Sequence, residues 1–308
     1  MQLEWKERRT AILRDYDVIT KKILALNDFK GAKLKPLKEG YVNLALLATK
    51  GNIKRVIKIS VDDALQSEVY WYAKAEKAGV NVSKLIYYDL SKEHILYKYC
   101  VMSYIDGKPP NSKSKELLYN AGFFAGKELR KLHKIHVNGF GLWDSNNKWT
   151  NKTWLETLWK YRHVAINEKA ALNVLKPKQI ALIDSLTIFN KELEFKGARL
   201  LHGDPYEENI LYSRRLDRFF IIDPSPYIIA GDPIWDVSYS TVKRSVGFDA
   251  GVKDGYGLNV LTEKELYRLK MLSIFNIFYE MAWYVANTDS KREIKKLHKL
   301  LLNKLYSV

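Results

Sequence analysis

One acidic segment, residues 199–236, constrains this 308-residue chain more than any other part of its sequence. A His-Gly-Asp triplet ends on Asp204, and Asn209 follows five positions later. After an Arg-containing turn comes an apolar run, 219–222, which ends directly on Asp223. Such a run predicts a buried strand, whose end can hold a carboxylate rigidly. The segment therefore predicts three oxygen-bearing side chains at defined positions.

These residue types suit one kind of chemistry, the transfer of a phosphoryl group. In that reaction the protein aligns an attacking hydroxyl with the γ-phosphate and neutralises the developing charge. Asp204 can accept or orient the hydroxyl proton, while Asn209 and Asp223 offer the hard oxygen ligands that Mg²⁺ prefers. A Gly-Asp-Pro turn or a strand ending in Asp is common by itself. The interpretation therefore rests on finding both features together in one segment. We interpret Asp204 as the catalytic base and the other two as magnesium ligands.

The motif HGDPYEENIL, residues 202–211, resembles the catalytic loop of the aminoglycoside phosphotransferase and choline kinase-like families, relatives of the protein kinases. IID, ending on Asp223, is similar to their metal-binding strand, and GDPIWD, residues 231–236, is similar to the GDPxxD that follows it. Pro224 stands where many members have Trp or Phe, a form similar to streptomycin phosphotransferases and fructosamine kinases. The resemblance covers nearly the whole chain and implies an enzyme that uses Mg²⁺ and ATP, with GTP as a possible substitute.

Three further residues of the segment are interpreted as structural. Asp232 and Asp236 are expected to hold the catalytic loop through hydrogen bonds and to cap a helix that begins near residue 232 or 233. His202 is expected to hydrogen-bond the backbone instead of moving a proton.

Residues 34–60 alternate between apolar runs and turn residues, which predicts strands joined by hairpins. The resemblance implies that the nucleotide phosphates lie here, at a loop in which Gly40 and Asn43 stand in place of the protein kinase GxGxxG. A plain hairpin would give the same pattern.

Lys58 interrupts an apolar strand and so needs either solvent or an anionic partner. It resembles the strand lysine of the kinase fold; the alternative is a solvent-facing residue on an edge strand. Glu68, in the predicted helix 64–78, is the expected ion-pair partner that would hold Lys58 towards the α- and β-phosphates. With nucleotide as its main partner, Lys58 should contribute little to folding stability.

An apolar strand that runs into Asp-Gly-Lys-Pro-Pro predicts a hinge near residue 105. Adenine is expected to hydrogen-bond the main chain of Ser103, Tyr104 and Ile105 there. We predict an α+β, two-lobed protein-kinase-like fold, with a small β-rich nucleotide-binding lobe, 1–105, and a larger, mostly helical catalytic and substrate-binding lobe, 106–308.

A net charge of +16 would favour nucleic acid or an anionic membrane as partner, but the basic residues are spread along the chain. No apolar run reaches 18 residues and the N-terminus is charged, so a cytoplasmic protein without membrane segments is expected. The single cysteine, Cys100, excludes an internal disulfide. We expect a monomer or homodimer that does not bind nucleic acid.

The acceptor implied first by the resemblance is an aminoglycoside or related antibiotic, which makes antibiotic resistance the expected role. Glu207, Glu208 and Glu280 are then expected to attract a cationic substrate. The alternatives are metabolic kinases of a sugar, a ketosamine or an amino alcohol such as choline. A binding module without activity would lack Asp204, Asn209, Asp223 or Lys58, and the chain contains all four.

Overall fold

The computed structural model describes residues 10, 12–37, 43–60, 64–110, 114–167, 174–239, 242, 245–288 and 290–307. Its N-terminal part is built on a five-stranded antiparallel sheet in the order β1-β2-β3-β5-β4. The strands are β1 (Lys33–Pro36), β2 (Leu44–Lys50), β3 (Ile53–Ser60), β4 (Leu85–Asp89) and β5 (Lys98–Ser103).

Successive side chains of a strand point to opposite sides, and this sheet uses both of its faces. Ile57 of β3 packs on one face in an apolar cluster with helix α1 (Tyr16–Leu26). On the other face, Cys100 of β5 packs in a second cluster with helix α2 (Ala64–Lys77). Lys58 is the cross-strand partner of Cys100 and therefore lies on the α2 face.

The C-terminal part is mostly helical, as predicted. Helices α8 and α9 contribute Phe275, Phe278, Leu297 and Leu301 to its largest apolar cluster. The helices are α3 (Lys115–Leu132), α4 (Trp154–Asn167), α5 (Pro177–Leu186), α6 (Ile234–Tyr239), α7 (Val246–Tyr256), α8 (Glu263–Asn287) and α9 (Lys291–Leu305).

Short strands support the loops of the acidic segment. A second sheet has the order β7-β6-β11-β8, and β9 pairs with β10 in a hairpin. The strand predicted before Asp223 is present as β10, and Asp204 and Asn209 lie between β8 and β9. These strands are β6 (Phe140–Trp143), β7 (Trp149–Asn151), β8 (Arg199–Leu200), β9 (Ile210–Ser213), β10 (Arg218–Ile221) and β11 (Ala230–Gly231).

The architecture confirms the predicted α+β, two-lobed fold, a β-rich part followed by a helical one. Cys100 is buried, in agreement with its apolar sequence context. Within the described ranges, no helix combines the length and the apolar character needed to cross a membrane.

Helices α3 and α7 approach each other closely because glycines lie where they meet. A Cβ placed on Gly251 of α7 would lie 2.1 Å from the backbone oxygen of Tyr119 in α3. In the opposite direction, a Cβ on Gly122 would lie 2.1 Å from the backbone oxygen of Phe248. Neither contact can be relieved by moving a flexible side chain, so this packing requires glycine.

We therefore expect Gly251→Ala to lower the free energy of unfolding by about 3 kcal/mol, because the added methyl group forces two helix backbones apart. Gly247→Ala is the matched control in the same helix, since its nearest contact is Lys115 O at 3.1 Å. Urea unfolding of both variants tests this difference. Equal stabilities would show that the helices separate without cost.

Candidate active site

Lys58 is the centre of the ion pairs that join the two parts of the chain. Its Nζ contacts Glu68 Oε1 of helix α2 and lies 2.5 Å from Asp223 Oδ1, just beyond strand β10. Only 11% of the Lys58 side chain is exposed, so the alternative of a solvent-facing lysine is wrong. Asn43 Nδ2 donates to the other oxygen of Glu68, Oε2, at 3.0 Å. One ammonium group thus connects the N-terminal sheet, helix α2 and the end of β10.

Electrostatic effects keep Lys58 and Asp223 charged. Burial lowers the pKa of Lys58, but the carboxylates of Asp223 and Glu68 raise it more, leaving it well above its ordinary value. Desolvation raises the pKa of Asp223, but the ammonium group of Lys58 lowers it more, leaving it below its ordinary value. Burial raises the pKa of Glu68 above its ordinary value, and the charge of Asp223 raises it too, against the lowering effect of Lys58. Lys58 and Asp223 therefore form a charged pair at neutral pH.

The backbone at Asp223 has an unusual conformation. Its φ of +54° lies in the left-handed region, which is unusual for a residue other than glycine. The Asp223 N–H donates to the hydroxyl oxygen of Tyr72 in α2, at 3.2 Å. Half of the side chain is exposed, although the last two residues of the strand before it, Phe220 and Ile221, are buried. The carboxylate is therefore held in a fixed direction by Lys58 while it remains half exposed.

Asn209 connects Asp204 with Asp223. Its Nδ2 donates to Asp204 O at 2.9 Å and lies 3.3 Å from Asp204 Oδ2. It also lies 3.5 Å from the backbone oxygen of Asp223. The three residues singled out by their spacing therefore meet at one place, beside Lys58. Since the amide nitrogen makes these contacts, the amide oxygen of Asn209 points elsewhere.

A buried carboxylate holds the loop that carries Asp204. Asp236 accepts the N–H groups of His202 and Gly203, both at 2.7 Å. Gly203 has a φ of +77°, and a Cβ there would lie 2.1 Å from Ile228 O, so the loop needs glycine at this point. His202 Nε2 contacts the backbone oxygen of Ile222 at 2.9 Å. The structural roles predicted for His202 and Asp236 are confirmed.

Asp232 also has the predicted capping contact. Its Oδ1 accepts the N–H of Ile234, the first residue of α6, at 3.0 Å. Its other oxygen, Oδ2, lies 2.8 Å from Arg268 Nε of α8, and both side chains are almost fully buried. Asp232 therefore ties α6 to α8.

The three glutamates expected to attract a cation have different surroundings. Glu207 Oε2 accepts from the Ser245 hydroxyl at 3.2 Å, and Glu208 is exposed. Glu280 is buried, and its Oε2 accepts from the Tyr206 hydroxyl at 3.2 Å.

The residues predicted to bind adenine lie at one end of the N-terminal sheet. Ser103 ends strand β5, with Tyr104 and Ile105 directly after it. The Ser103 N–H donates to Lys84 O at 2.9 Å, and its carbonyl accepts from the Ser83 hydroxyl at 2.5 Å. Gly40 lies outside the described residues.

A set of tyrosines beside Asp204 was not found from the sequence. The rings of Tyr206 and Tyr239 meet edge to face, 5.5 Å apart. Burial raises the pKa of Tyr239 well above its ordinary value, and the charges of Glu280 and Asp204 raise it further. Tyr161 and Tyr279 lie next to this pair, with ring centroids 4.8 Å apart. The only signal in the sequence was the total of 20 tyrosines, which does not say where they meet.

The fold and the Lys58 cluster define a phosphotransferase of the protein-kinase-like class. The model of the phosphotransferase enzyme family matches residues 33–268, and the chain belongs to that family. Among curated proteins, sequence comparison finds no match.

Solved structures of three kinds resemble the chain. A thermostable mutant of aminoglycoside phosphotransferase APH(4)-Ia, in a ternary complex with ADP and hygromycin B, has a TM-score of 0.70 and 16% identity over 93% of this chain and 98% of that chain. A candidate fructosamine-3-kinase of Thermobifida fusca has a TM-score of 0.63 and 17% identity, covering 93% and 96%. A choline/ethanolamine kinase family protein of Mesorhizobium loti has a TM-score of 0.62 and 17% identity, covering 95% and 94%. These similarities establish the fold.

The ion pairs change the effect expected on folding when Lys58 is replaced. Glu68 is only 6% exposed, so Lys58→Met would leave a buried carboxylate without its cation. We expect a loss of about 3 kcal/mol in the free energy of unfolding, most of it recovered by adding Glu68→Gln. Urea unfolding at pH 7 of the unmodified protein, the two single variants and the double variant measures the free energies of this double-mutant cycle.

Lys54→Met is the matched control, because Lys54 lies in the same strand and is exposed. If Lys58→Met proved as stable as this control, the contacts of Lys58 with Glu68 and Asp223 would not stabilise the unliganded protein.

Proposed function

We propose that this protein transfers the γ-phosphate of ATP, with Mg²⁺, to a hydroxyl group of a small molecule. The observation that carries the proposal is the convergence of Lys58, Asp223, Asn209 and Asp204 at one place between the sheet and the helical part, which we interpret as the substrate cleft. A cation for the phosphates, oxygen ligands for a metal and a base for the acceptor are the groups that phosphoryl transfer requires. Family membership gives the reaction class.

The nucleotide is assigned to the sheet side of this cleft. Lys58 would exchange its contact with Asp223 for the α- and β-phosphates while keeping Glu68, and Asn43 would stay beside Glu68. Adenine would use the Ser103 carbonyl, which has a second lone pair, and the N–H of Ile105, with Tyr104 between them. ATP is the first nucleotide to test and GTP the second. The lobe boundary is accordingly assigned near residue 105, with 1–105 binding nucleotide and 106–308 binding the acceptor.

The donor set fits Mg²⁺. Asp223 presents a half-exposed carboxylate. The amide nitrogen of Asn209 lies 3.5 Å from the Asp223 backbone oxygen, and the amide oxygen of Asn209 would be the second ligand. In the part of the chain that the structure describes, no group of three His, Cys, Asp or Glu residues could enclose a metal. That suits Mg²⁺, which is usually bound by one or two protein oxygens together with substrate phosphates and water. Its role when bound would be to neutralise charge on the phosphates.

Asp204 faces the acceptor. Its carboxylate would take the proton as the acceptor oxygen forms its bond to the γ-phosphorus and the bond from that phosphorus to the β-phosphate oxygen breaks. ADP leaves, and the proton passes from Asp204 to solvent. Asn209 fixes the direction of the carboxylate by donating to Asp204 Oδ2.

The acceptor side favours a molecule that carries a cationic nitrogen. Glu280 is buried among Tyr206 and Tyr239, and an ammonium group can interact with both a carboxylate and aromatic faces. An aminoglycoside or related antibiotic is the first choice, with antibiotic resistance in the cytoplasm as the resulting role. A structurally similar enzyme was solved with hygromycin B.

A metabolic kinase of a ketosamine or an amino alcohol is the second candidate. The observation that favours it is that Glu280 lies among tyrosines, whereas Glu207 contacts Ser245 and Glu208 lies at the surface. One buried carboxylate suits a compact monocation better than a polycation. A coupled assay of ADP formation, with antibiotics, ketosamines, amino alcohols and neutral sugars at equal concentration, discriminates between the two.

The roles of Asp204 and Asp223 are separable in kinetics. We expect Asp204→Ala to lower kcat by at least about 10³-fold while nucleotide affinity changes less than about threefold, because the base acts on the acceptor. Asp223→Ala should weaken the binding of ATP measured with Mg²⁺, by about tenfold or more. Calorimetry with a non-hydrolysable ATP analogue measures affinity separately from turnover. Full turnover in Asp204→Ala, or unchanged affinity in Asp223→Ala, would contradict the corresponding role.

Glu280 and Glu208 form a matched pair for testing the acceptor. Glu280→Gln should raise the KM of an amine-bearing acceptor about tenfold or more and leave a neutral one within about twofold. Glu208→Gln should change neither, because its exposed charge is screened by solvent and salt. Equal effects of the two substitutions would favour a neutral acceptor such as a sugar.

A further inference from the structure

We propose that His133 is a positioning residue for the phosphoryl transfer, acting through Asp236 on the catalytic loop. This inference rests on the proposed function for its kinetic consequence. His133 follows the last residue of α3 and is 8% exposed. Its Nε2 lies 3.0 Å from Asp236 Oδ2, and its Nδ1 lies 2.8 Å from the hydroxyl of Tyr256 in α7. It therefore joins the α3 and α7 helices to the carboxylate that holds the loop.

The hydrogen bonds determine which ring nitrogen of a neutral His133 carries the proton. Asp236 is a carboxylate that only accepts, so His133 Nε2 must donate to it. Nδ1 then accepts from the Tyr256 hydroxyl. Burial and then the charges of Asp236 and Asp232 raise the pKa of Tyr256, so its hydroxyl keeps the proton that it donates. This direction of donation orients the imidazole towards Asp236.

Asp236 transmits this orientation to the loop. It is fully buried, and its oxygens receive three donors: His133 Nε2 and the N–H groups of His202 and Gly203. A carboxylate that loses one of three donors can rotate, and both loop amides follow it. Asp204 is the next residue in the chain, so a shift at Gly203 moves the catalytic carboxylate directly.

Residues other than His133 pack helices α3 and α7 together, so its polar contacts can be changed without removing that packing. Helices α3 and α7 meet through Gly122, Gly126, Gly251 and Gly255, and through buried apolar side chains. We therefore expect variants at residue 133 to fold and to differ in how they hold the loop.

A pair of amide substitutions tests the proposal in the full-length protein. The amide nitrogen of His133→Gln reaches the position of Nε2, while that of His133→Asn reaches only the position of Nδ1. His133→Asn should lower kcat by about 10²-fold, the cost of a misplacement near 1 Å, with the KM for ATP within about twofold. His133→Gln should keep kcat within about fivefold of the unmodified protein. Equal loss in both variants, no loss in either, or a loss confined to KM would overturn the proposal.

Hydrogen exchange gives a readout that does not require a known acceptor. The amides of residues 202 and 203 should exchange faster in His133→Asn than in His133→Gln, at equal melting temperature. If the unmodified protein phosphorylates nothing, the proposed function fails, while exchange still decides whether His133 holds the loop. If His133→Asn does not fold, Tyr256→Phe replaces it; slower turnover or faster loop exchange supports the proposal, and no change in both overturns it.

Discussion

The junction between the N-terminal sheet and the helical part depends on one buried cation, Lys58, shared by two acidic side chains. Lys58 connects strand β3, helix α2 and the end of β10 through Glu68 and Asp223. A lysine this poorly exposed stays charged only because anionic groups surround it. In the unliganded protein these are protein carboxylates, and in the proposed reaction nucleotide phosphates replace one of them. The group that joins the two parts is therefore also the group that, under the proposed function, would bind the nucleotide phosphates.

A second constraint acts from the helical part. Asp236 is buried beneath the loop and holds it by two backbone amides, and the left-handed backbone at Gly203 makes that geometry possible. Asn209 then connects Asp204 with the backbone of Asp223. Asp204, the proposed base, and Asp223, the proposed metal ligand, are thus held relative to each other by backbone and amide contacts.

The sequence predicted those site residues that a short local pattern identifies. The spacing from Asp204 to Asn209 and the apolar strand before Asp223 each predict a position without knowledge of the fold, and the structure brings these residues together. The Lys58–Glu68 ion pair could be predicted because a lysine in an apolar strand needs an anion. Asp223 as a second partner of Lys58 could not, because that contact spans 165 positions of the chain.

The residues proposed to bind the acceptor were less predictable, because they too are far apart in the sequence. Tyr206 and Glu280 are 74 positions apart, and no local pattern says that they meet. Glu207 and Glu208 were grouped with Glu280 on charge alone, while the fold gives the three glutamates different partners and exposures. His133 directly follows a helix, and no local pattern places it beside Asp236, because that contact forms only when the helices pack.

Phosphorus NMR tests the central claim most directly, because it follows the transferred group itself. The protein is incubated with ATP, Mg²⁺ and one amine-bearing alcohol at a time, and the γ-phosphate resonance is followed. The account predicts that this resonance declines while ADP and a phosphate monoester of the acceptor increase in equal amounts. ATP that stays intact with every acceptor, or that yields only inorganic phosphate, would contradict it.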